Sequence, residues 1–588
     1  LAAYLFGGWD IARHAFHAAR QRHFDTDLLM VTAALGAGVL GEYFEGGLLL
    51  FLFSLGHVLE ELALDRARNA VRGLAGLAPK TATVRRGDAE EEVSVDQLAL
   101  DDRVIVRPGA RIPADGVIQD GQSGVDQSPV TGESVPVDRG PGDPVFAGTV
   151  NGEGTLALRV TRLTKDNTLA RVIKMVEEAQ SQKSRSQQLT ERFTRWFVPA
   201  VLFGAAALTA LPLIFGIALS DAFLRAMTLL VAASPCALAL GTPAAMLAGI
   251  AQGARNGLLI KGGVHLETLG VVETIAFDKT GTLTQGRPEV VDAMATAAIS
   301  GDIGRLVGVA ASIERRSGHP LAQAVVRAAE ARGVALLDPA GVTSLTGRGL
   351  SGTVGLEAVL IGNRKLMEES GIALPPEVAA RLGQFEEAGN TTMIVAVNGQ
   401  VAGALALADT PRPAAADTIR RLRRAGIKRM LLLTGDNARV GEALAATLEL
   451  DAVRSGLMPE DKVTAIRELA AGQTVAMVGD GVNDAPALAA ASVGIAMGGA
   501  GTDVALETAD VALMGDDLGK LPFAIELGRK TRSVVVQNLA ISMGVIGLLV
   551  VTSVAGFVTI AGAIVVHEGS TLLVVLNALR LLTFCGRS

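Results

Sequence analysis

The sequence predicts a multidomain membrane protein, in which an α-helical transmembrane bundle carries a small β-rich domain and a doubly wound α/β domain with an α+β domain inserted into it. Hydrophobic residues make up 49% of the 588, and mean hydropathy is +0.39, with the excess gathered in blocks. A chain of this length exceeds one hydrophobic core and should divide into several domains. Three apolar runs also end in carboxylate-bearing turns. Ile275-Ala276-Phe277 leads to Asp278, Met430-Leu431-Leu432-Leu433 to Thr434-Gly435-Asp436-Asn437, and Val475-Ala476-Met477-Val478 to Gly479-Asp480. Strands buried on both faces read as such continuous runs, and open α/β sheets place ligands at the strands' carboxyl ends.

Taken in order, Leu1 to Trp9 is apolar but too short to span, and Asp10 to His23 interleaves Arg13, Arg20 and Arg22 with Ile11, Ala15, Phe16 and Ala19. That is an interfacial amphipathic pattern, which a soluble amphipathic helix would share. Gly7-Gly8 marks a kink where the character changes. Leu28 to Gly41 and Gly46 to Leu59 read as a membrane hairpin with Glu42-Tyr43-Phe44-Glu45 at its tip, although the first block falls below the roughly 20 residues a span requires. Asp65 to Thr190 is polar and turn-rich, with strand-like Thr81-Ala82-Thr83-Val84 and Arg103-Val104-Ile105-Val106. Phe197 to Leu219 and Met227 to Ala251 form a second pair of spans joined at Ser220-Asp221, the latter span containing Ser234-Pro235-Cys236. A proline there frees backbone carbonyls, which makes either a plain kink or, beside a thiol and a hydroxyl, an ion site. Asn256 to Arg532 is the large soluble block, with an insertion from about Arg287 to Asp409 that contains no Walker-type loop. Ser533 to Val566 has no charge and is long enough for two spans turning near Ala555-Gly556, the second continuing through His567-Glu568-Gly569-Ser570-Thr571 to about Leu582. Ionisable residues inside a span are costly and point to function.

Charge excludes some partners and orients the chain. A net charge of −7 argues against nucleic acid, and Cys236 and Cys585 alone give neither a disulfide framework nor zinc-finger spacing. Arg66, Arg68, Arg72, Arg192, Arg195, Arg255, Lys261, Arg529, Lys530 and Arg532 flank the two large soluble loops, so the positive-inside rule makes both cytoplasmic. The Leu1 stub would then enter from outside, and the chain begins with leucine, so another span is expected upstream.

Asp278, followed by Lys279-Thr280-Gly281-Thr282-Leu283-Thr284, is the candidate nucleophile, because this turn offers a charge, hydroxyls and N–H groups to a phosphoryl oxygen. Convergent carboxylates require a hard cation, and Mg2+ held by Asp278 and Asp480 together with phosphate is the expected solution. D-K-T-G-T, T-G-D and G-D-G-x-N-D-x-P, the last running from Gly479 to Pro486, occur in the order found in P-type ATPases, and the chain resembles that family over nearly its whole length. The resemblance implies an aspartyl-phosphate at Asp278 and a phosphorylation-domain site comprising Lys279, Thr280, Thr434, Gly435, Asp436 and Asn483, with Thr280, Asp480 and Asp484 serving Mg2+ beside Asp278. Lys462, in Met458-Pro459-Glu460-Asp461-Lys462, resembles the family's phosphate-contacting lysine. Thr131-Gly132-Glu133-Ser134 matches the actuator-domain loop, where Glu133 would orient water against the phosphorylated aspartate. Glu314, Ser317, His319-Pro320 and Gly347-Arg348-Gly349 resemble the nucleotide-binding domain of heavy-metal pumps, with His319 near adenine.

The implied domains are membrane helices with a basic platform at 1–64, actuator at 65–190, membrane helices at 191–254, phosphorylation domain at 255–286 and 410–531, nucleotide-binding domain at 287–409 and C-terminal membrane helices at 532–588. Cys236 sulfur, His567 imidazole and Glu568 carboxylate form a mixed S, N, O set suited to borderline divalent metals. Ser-Pro-Cys with His-Glu-Gly-Ser-Thr resembles the cobalt/zinc-type subgroup, and places Ser234, Cys236, His567, Glu568 and Thr571 on the transported ion. The first auxiliary helix and any Cys-x-x-Cys domain are not in this sequence. The expected activity is ATP-driven export of Co2+, Zn2+ or a related ion (Cd2+, Fe2+, Ni2+) from a bacterial cytoplasm across the plasma membrane, by a monomer. The zinc/cadmium/lead and copper subgroups are alternatives, as are a membrane-tethered phosphatase and a non-catalytic metal receptor. Thr280, standing where many phosphatases of this topology carry an acid/base Asp, argues against the phosphatase.

Overall fold

The computed structural model describes residues 13, 26–75, 79–86, 89–127, 136–167, 170, 182–214, 218–345, 348–436, 438–481, 484–498 and 508–586. They form two compact units, Leu1–Val271 with Gly498–Thr502 and Asp510–Ser588, and Val272–Met497 with Asp503–Ala509. The Gly7-Gly8 kink, the Asp10 to His23 pattern apart from a helical Arg13, and the Thr131 to Ser134 loop lie outside the described residues.

The first unit holds the helices α1 (Thr26–Val39), α2 (Tyr43–Ala75), α3 (Arg185–Ile214), α4 (Leu219–Ala232), α5 (Cys236–Arg255), α6 (Leu521–Val554) and α7 (Ile560–Leu579). Among the described residues, four helical stretches, Arg185–Leu211, Leu219–Arg255, Leu518–Val554 and Ile560–Thr583, are long and apolar enough to cross a membrane, and Leu28–Val39 and Tyr43–Val58 are shorter apolar stretches. Their shared core includes Leu29, Met30, Leu49, Phe53, Leu230 and Ile564.

Several boundaries differ from expectation for visible reasons. The hairpin turns at Leu40-Gly41-Glu42 because Gly41 adopts φ +85°, which leaves Tyr43, Phe44 and Glu45 in α2. Ser220 and Asp221 lie inside α4 rather than in a connector. The span expected at Met227 to Ala251 is broken into α4 and α5 at Ala233-Ser234-Pro235. Ala233 and Ser234 close α4 by donating to the Leu229 and Val231 carbonyls at 2.9 and 3.2 Å, and Ala239 opens α5 by donating to Pro235. Pro235 has no N–H to continue the ladder. Helix α6 begins at Leu521, so Arg529, Lys530 and Arg532 stand on a 34-residue helix rather than before one. The turn expected near Ala555-Gly556 is present, with Gly556 at φ +78°.

Between α2 and α3 lies the β-rich domain. Its six-stranded sheet includes Thr81–Arg86, Arg103–Val106, Gly116–Asp120 and Leu156–Val160, and a separate three-stranded sheet joins Ser123–Asp126, Val137–Arg139 and Val150–Asn151. Alternation at Thr81–Arg86 buries Ala82 and Val84 against Val104, Ile112, Ile118 and Leu158.

The second unit contains the strands β1 (Thr274–Asp278), β2 (Arg429–Leu433), β3 (Ala452–Arg454), β4 (Val475–Gly479) and β5 (Val493–Gly498). They run parallel in the order β5-β4-β1-β2-β3, and β1 is central, paired to both β2 and β4. All of β1 and β4 is buried, as expected of the doubly wound sheet. Thr284–Ala295 leaves this layer, antiparallel to the returning strand Gln400–Pro411. These two edge a six-stranded antiparallel sheet packed by the helices Ile303–Glu314, Pro320–Ala331 and Pro376–Glu387. The α+β insertion therefore leaves and rejoins the α/β layer through one pair of adjacent strands.

Candidate functional site

The parallel register aligns the carboxyl ends of β1, β2 and β4, and the polar turns that follow them meet there. Asp278 ends β1 with 6% exposure. Its Oδ1 accepts from Lys462 Nζ at 2.5 Å, and the same ammonium donates to Asp484 Oδ1 at 2.7 Å. Lys462 lies in the first turn of helix Pro459–Ala470, whose start is held by Met458 N–H donating to Asp461 Oδ2 at 3.0 Å. One cation thus sits between two buried carboxyl groups. Burial pushes Asp278 up to about 7, the Asp484 charge adds to that, and Lys462 opposes it. Burial works to lower the Lys462 pKa, but the two carboxylates together raise it.

Residues Lys279–Leu283 form one wide turn in which Gly281 takes φ +73°. Thr284 Oγ1 bonds the Lys279 carbonyl at 2.9 Å and Asp409 Oδ2 at 2.5 Å, while Arg412 Nη2 donates to the Gly281 carbonyl at 2.8 Å. Lys279 pairs with Asp436, whose N–H donates to Thr434 Oγ1 at 3.1 Å, so the turn after β2 is tied to the turn after β1. Gly435 brings the first of these turns close to the Leu457 carbonyl, which would lie 3.3 Å from a Cβ there. Asp480 reaches the same place, its Oδ2 lying 3.6 Å from where a Cβ on Gly281 would sit. The structure therefore brings together Asp278, Lys279, Thr280, Thr434, Gly435, Asp436, Lys462, Asp480 and Asp484. Asn483, Glu133, Thr131 and Gly132 lie outside the described residues. Sequence reasoning missed the clamp formed by Asp409 and Arg412. A signal was available, since Asp409 follows the apolar run Val401 to Leu407, the same plan of strand and then acid.

For Mg2+, the donor chemistry fits. Asp484 Oδ2 is buried with no hydrogen-bond partner, a spare hard oxygen beside Asp278. Among the described residues no three of His, Cys, Asp and Glu close into a cation site.

In the inserted domain, a cavity of about 370 Å3 is lined by Glu314, Ser317, His319, Arg348, Gly349 and neighbouring residues. Burial alone raises the Glu314 carboxyl to about 7. His319 caps helix Pro320–Ala331, its Nδ1 accepting from Leu321 N–H at 3.3 Å, which sets the ring's orientation. Gly349 takes φ +154°, and a Cβ there would lie 1.8 Å from the Ile361 carbonyl oxygen, so only glycine lets the two strands close beneath the cavity. Pro320 stands at the start of its helix, and Gly347 lies outside the described residues.

In the helical bundle, Ser234 Oγ and Cys236 Sγ lie 3.2 Å apart at the break between α4 and α5. On α7, His567 is 1% exposed and both ring nitrogens lack a hydrogen-bond partner. Ser570 and Thr571 both donate to the His567 carbonyl, at 2.7 and 3.2 Å. Glu568 reaches α2, where a Cβ on Gly56 would meet its Oε2 at 2.4 Å. Cys236, His567 and Glu568 therefore do not stand as a closed cluster of three. Sequence reasoning also missed an interhelical clasp, in which Asn538 Nδ2 donates to the Gly241 carbonyl at 3.2 Å and Asn577 Nδ2 donates to Asn538 Oδ1 at 2.9 Å.

Comparison with known proteins accounts for the combination. A family model described as P-type ATPase actuator domain matches residues 76–177, and one described as haloacid dehalogenase-like hydrolase matches residues 272–492. The chain is 40% identical to a protein of Staphylococcus aureus (strain MRSA252) named "Probable cadmium-transporting ATPase", over 98% of this chain and 80% of that one. It is 41% identical to a Mycobacterium bovis protein named "Probable cobalt/nickel-exporting P-type ATPase", over 99% and 88%. A crystal structure of a zinc-transporting PIB-type ATPase in the E2.Pi state is similar with TM-score 0.67 and 40% identity, over 98% of this chain and 94% of that one. The chain belongs to the heavy-metal-transporting P-type ATPases.

Proposed function

We propose that the protein exports a divalent transition-metal ion from the bacterial cytoplasm, driven by ATP through a phosphorylated Asp278. The observation that carries this reading is the buried array of Asp278, Lys462 and Asp484 at the carboxyl edge of the parallel sheet. Asp278 Oδ attacks the γ-phosphorus of ATP, forming an acyl-phosphate bond while ADP leaves with the electrons of the broken P–O bond. Phosphoryl transfer is catalysed largely by positioning and electrostatics. Lys462 and Lys279 supply positive charge beside Asp278, and the clamped turn of residues 279–283 offers backbone N–H groups to the incoming oxygens. Asp278, Asp480 and Asp484 would hold Mg2+, which when bound would supply charge neutralisation on those oxygens. The cavity around Glu314, His319 and Gly349 receives the nucleotide. Thr280 leaves the turn without a local acid/base carboxylate, so the intermediate persists until Glu133 brings water, and that delay is what couples phosphate chemistry to transport.

The cargo reading rests on one sulfur. Cys236 beside the Ser234 hydroxyl, the uncommitted nitrogens of His567, and Glu568 with Thr571 suit Co2+, Zn2+, Cd2+ or Ni2+ better than Cu(I), which favours more sulfur. Relatives named for cadmium, cobalt/nickel and zinc support the divalent class. Both large loops face the cytoplasm by their flanking arginines and lysines. ATPase activity across a panel of metal ions tests the reading: vanadate-sensitive stimulation by Co2+ or Zn2+ is expected, and activity indifferent to metal would point to the tethered phosphatase instead.

A further inference from the structure

The Glu568 carboxylate lies against the backbone of α2 at Gly56. A Cβ built on Gly56 would be 2.4 Å from Glu568 Oε2, 3.2 Å from Cδ and 3.8 Å from Oε1, and these are its three nearest neighbours. No other side chain could stand at position 56 with the carboxylate where it is. The preceding Leu48 to Phe53 and Leu55 are large and apolar, and glycine inside a helix costs stability relative to alanine. Beside the contact is a cavity of about 160 Å3 walled by Leu52 and Leu55 of α2 and Leu572 and Val575 of α7, with Glu568 and Thr571 as its polar edge. The glycine therefore leaves room for one acid at the edge of an apolar chamber large enough for a partly hydrated ion.

We propose that Gly56 is a positioning residue for metal transport: its bare backbone is the notch that seats the Glu568 carboxylate between α2 and α7 and so sets how far that ligand reaches. The inference rests on the reading of Glu568 as an ion ligand. An added methyl would meet only the far end of a flexible side chain, so the helices can stay packed while the carboxylate swings out of its seat. The loss falls on metal affinity and not on the fold, as it does when other groups that orient a metal ligand are removed.

The test uses the purified full chain with Co2+ as the probe. Gly56→Ala should raise the Co2+ concentration for half-maximal ATPase by about 10-fold, the low end of the cost of losing a ligand's support, with the maximal rate at saturating Co2+ near that of wild type. Glu568→Asp retracts the carboxylate by one methylene, so adding Gly56→Ala to that background should change the half-maximal concentration little. If Gly56→Ala lowers the yield of folded protein, the double variant, in which the clash is absent, should restore it. An unchanged Co2+ requirement in Gly56→Ala, while Glu568→Gln raises it, overturns the positioning role and leaves the ligand reading standing. An equal effect of Gly56→Ala in both backgrounds, or no rescue of folding, assigns Gly56 to helix packing and also overturns the role. A Glu568→Gln variant with wild-type Co2+ stimulation removes the ligand reading itself, and the inference with it.

Discussion

Lys462→Met tests the electrostatics of the phosphorylation site most sharply. The substitution keeps an unbranched chain of similar length and removes the charge that Asp278 and Asp484 share at 2.5 and 2.7 Å. Asp278 already titrates at about 7, because burial and Asp484 outweigh Lys462. Losing one charged hydrogen bond, worth about 1.5–3 kcal/mol at 1.36 kcal/mol per pH unit, should lift it by about one to two units more. The sign follows from the group. An acid with a raised pKa is neutral below it, and only the carboxylate attacks phosphorus. At pH 7 the ionised fraction falls from about half to about 1–10%, so phosphorylation slows by roughly 5- to 50-fold and recovers as pH rises toward 9. Rapid-quench measurement of acid-stable 32P from labelled ATP, at one Mg2+ concentration and between pH 6 and 9, reads the profile. A variant that is slower by the same factor at every pH would refute the argument and leave Lys462 with only a phosphate contact.

Three further outcomes are expected. Glu314→Gln mimics the neutral acid that burial favours, so nucleotide affinity, which should fall in wild type as pH rises through about 7, should become flat in the variant by isothermal titration; a slope retained in the variant places the titrating group elsewhere. Gly349→Ala drives a methyl to 1.8 Å from the Ile361 carbonyl oxygen, a backbone atom that cannot swing away, and should raise KM for ATP by about tenfold or more with little change in metal requirement. Cys236→Ser removes the single sulfur of the membrane site, so stimulation by Cd2+ should suffer more than that by Co2+ or Zn2+ in vesicle uptake at fixed free metal, and an unaltered ion profile would show that Cys236 is not a ligand.

How much of this was legible in the sequence depends on how local each determinant is. The ends of β1, β2 and β4 could be read because strands buried on both faces leave continuous apolar runs, and a carboxylate closing such a run stands out. The sharing of Lys462 by Asp278 and Asp484 could not be derived from spacing, because the three residues come from a strand, a helix start and a loop that only the sheet brings together; resemblance alone named the lysine. The break at Ala233-Ser234-Pro235 was legible as a proline. The acidic residues Glu42 through Glu45 read as a hairpin tip, whereas the turn is made by Gly41 in a left-handed conformation. The start of α6 was missed because Arg529, Lys530 and Arg532 read as the end of a soluble block, yet charge does not interrupt a helix. Gly528, just before them, is a packing device, since a Cβ on it would sit 2.7 Å from the Gly270 nitrogen. The seat of Glu568 on Gly56 joins residues from opposite ends of the chain, and no periodicity carries that information.

Every step of the proposed cycle passes through Asp278. The most direct measurement is metal-dependent incorporation of acid-stable 32P from γ-labelled ATP into the purified protein and its Asp278→Asn variant, with folding checked by circular dichroism. Label that appears in wild type with Co2+ or Zn2+, is released by hydroxylamine as an acyl-phosphate should be, and is absent from the folded variant is the predicted result. Label retained by Asp278→Asn, or formed in wild type without regard to metal, would contradict it.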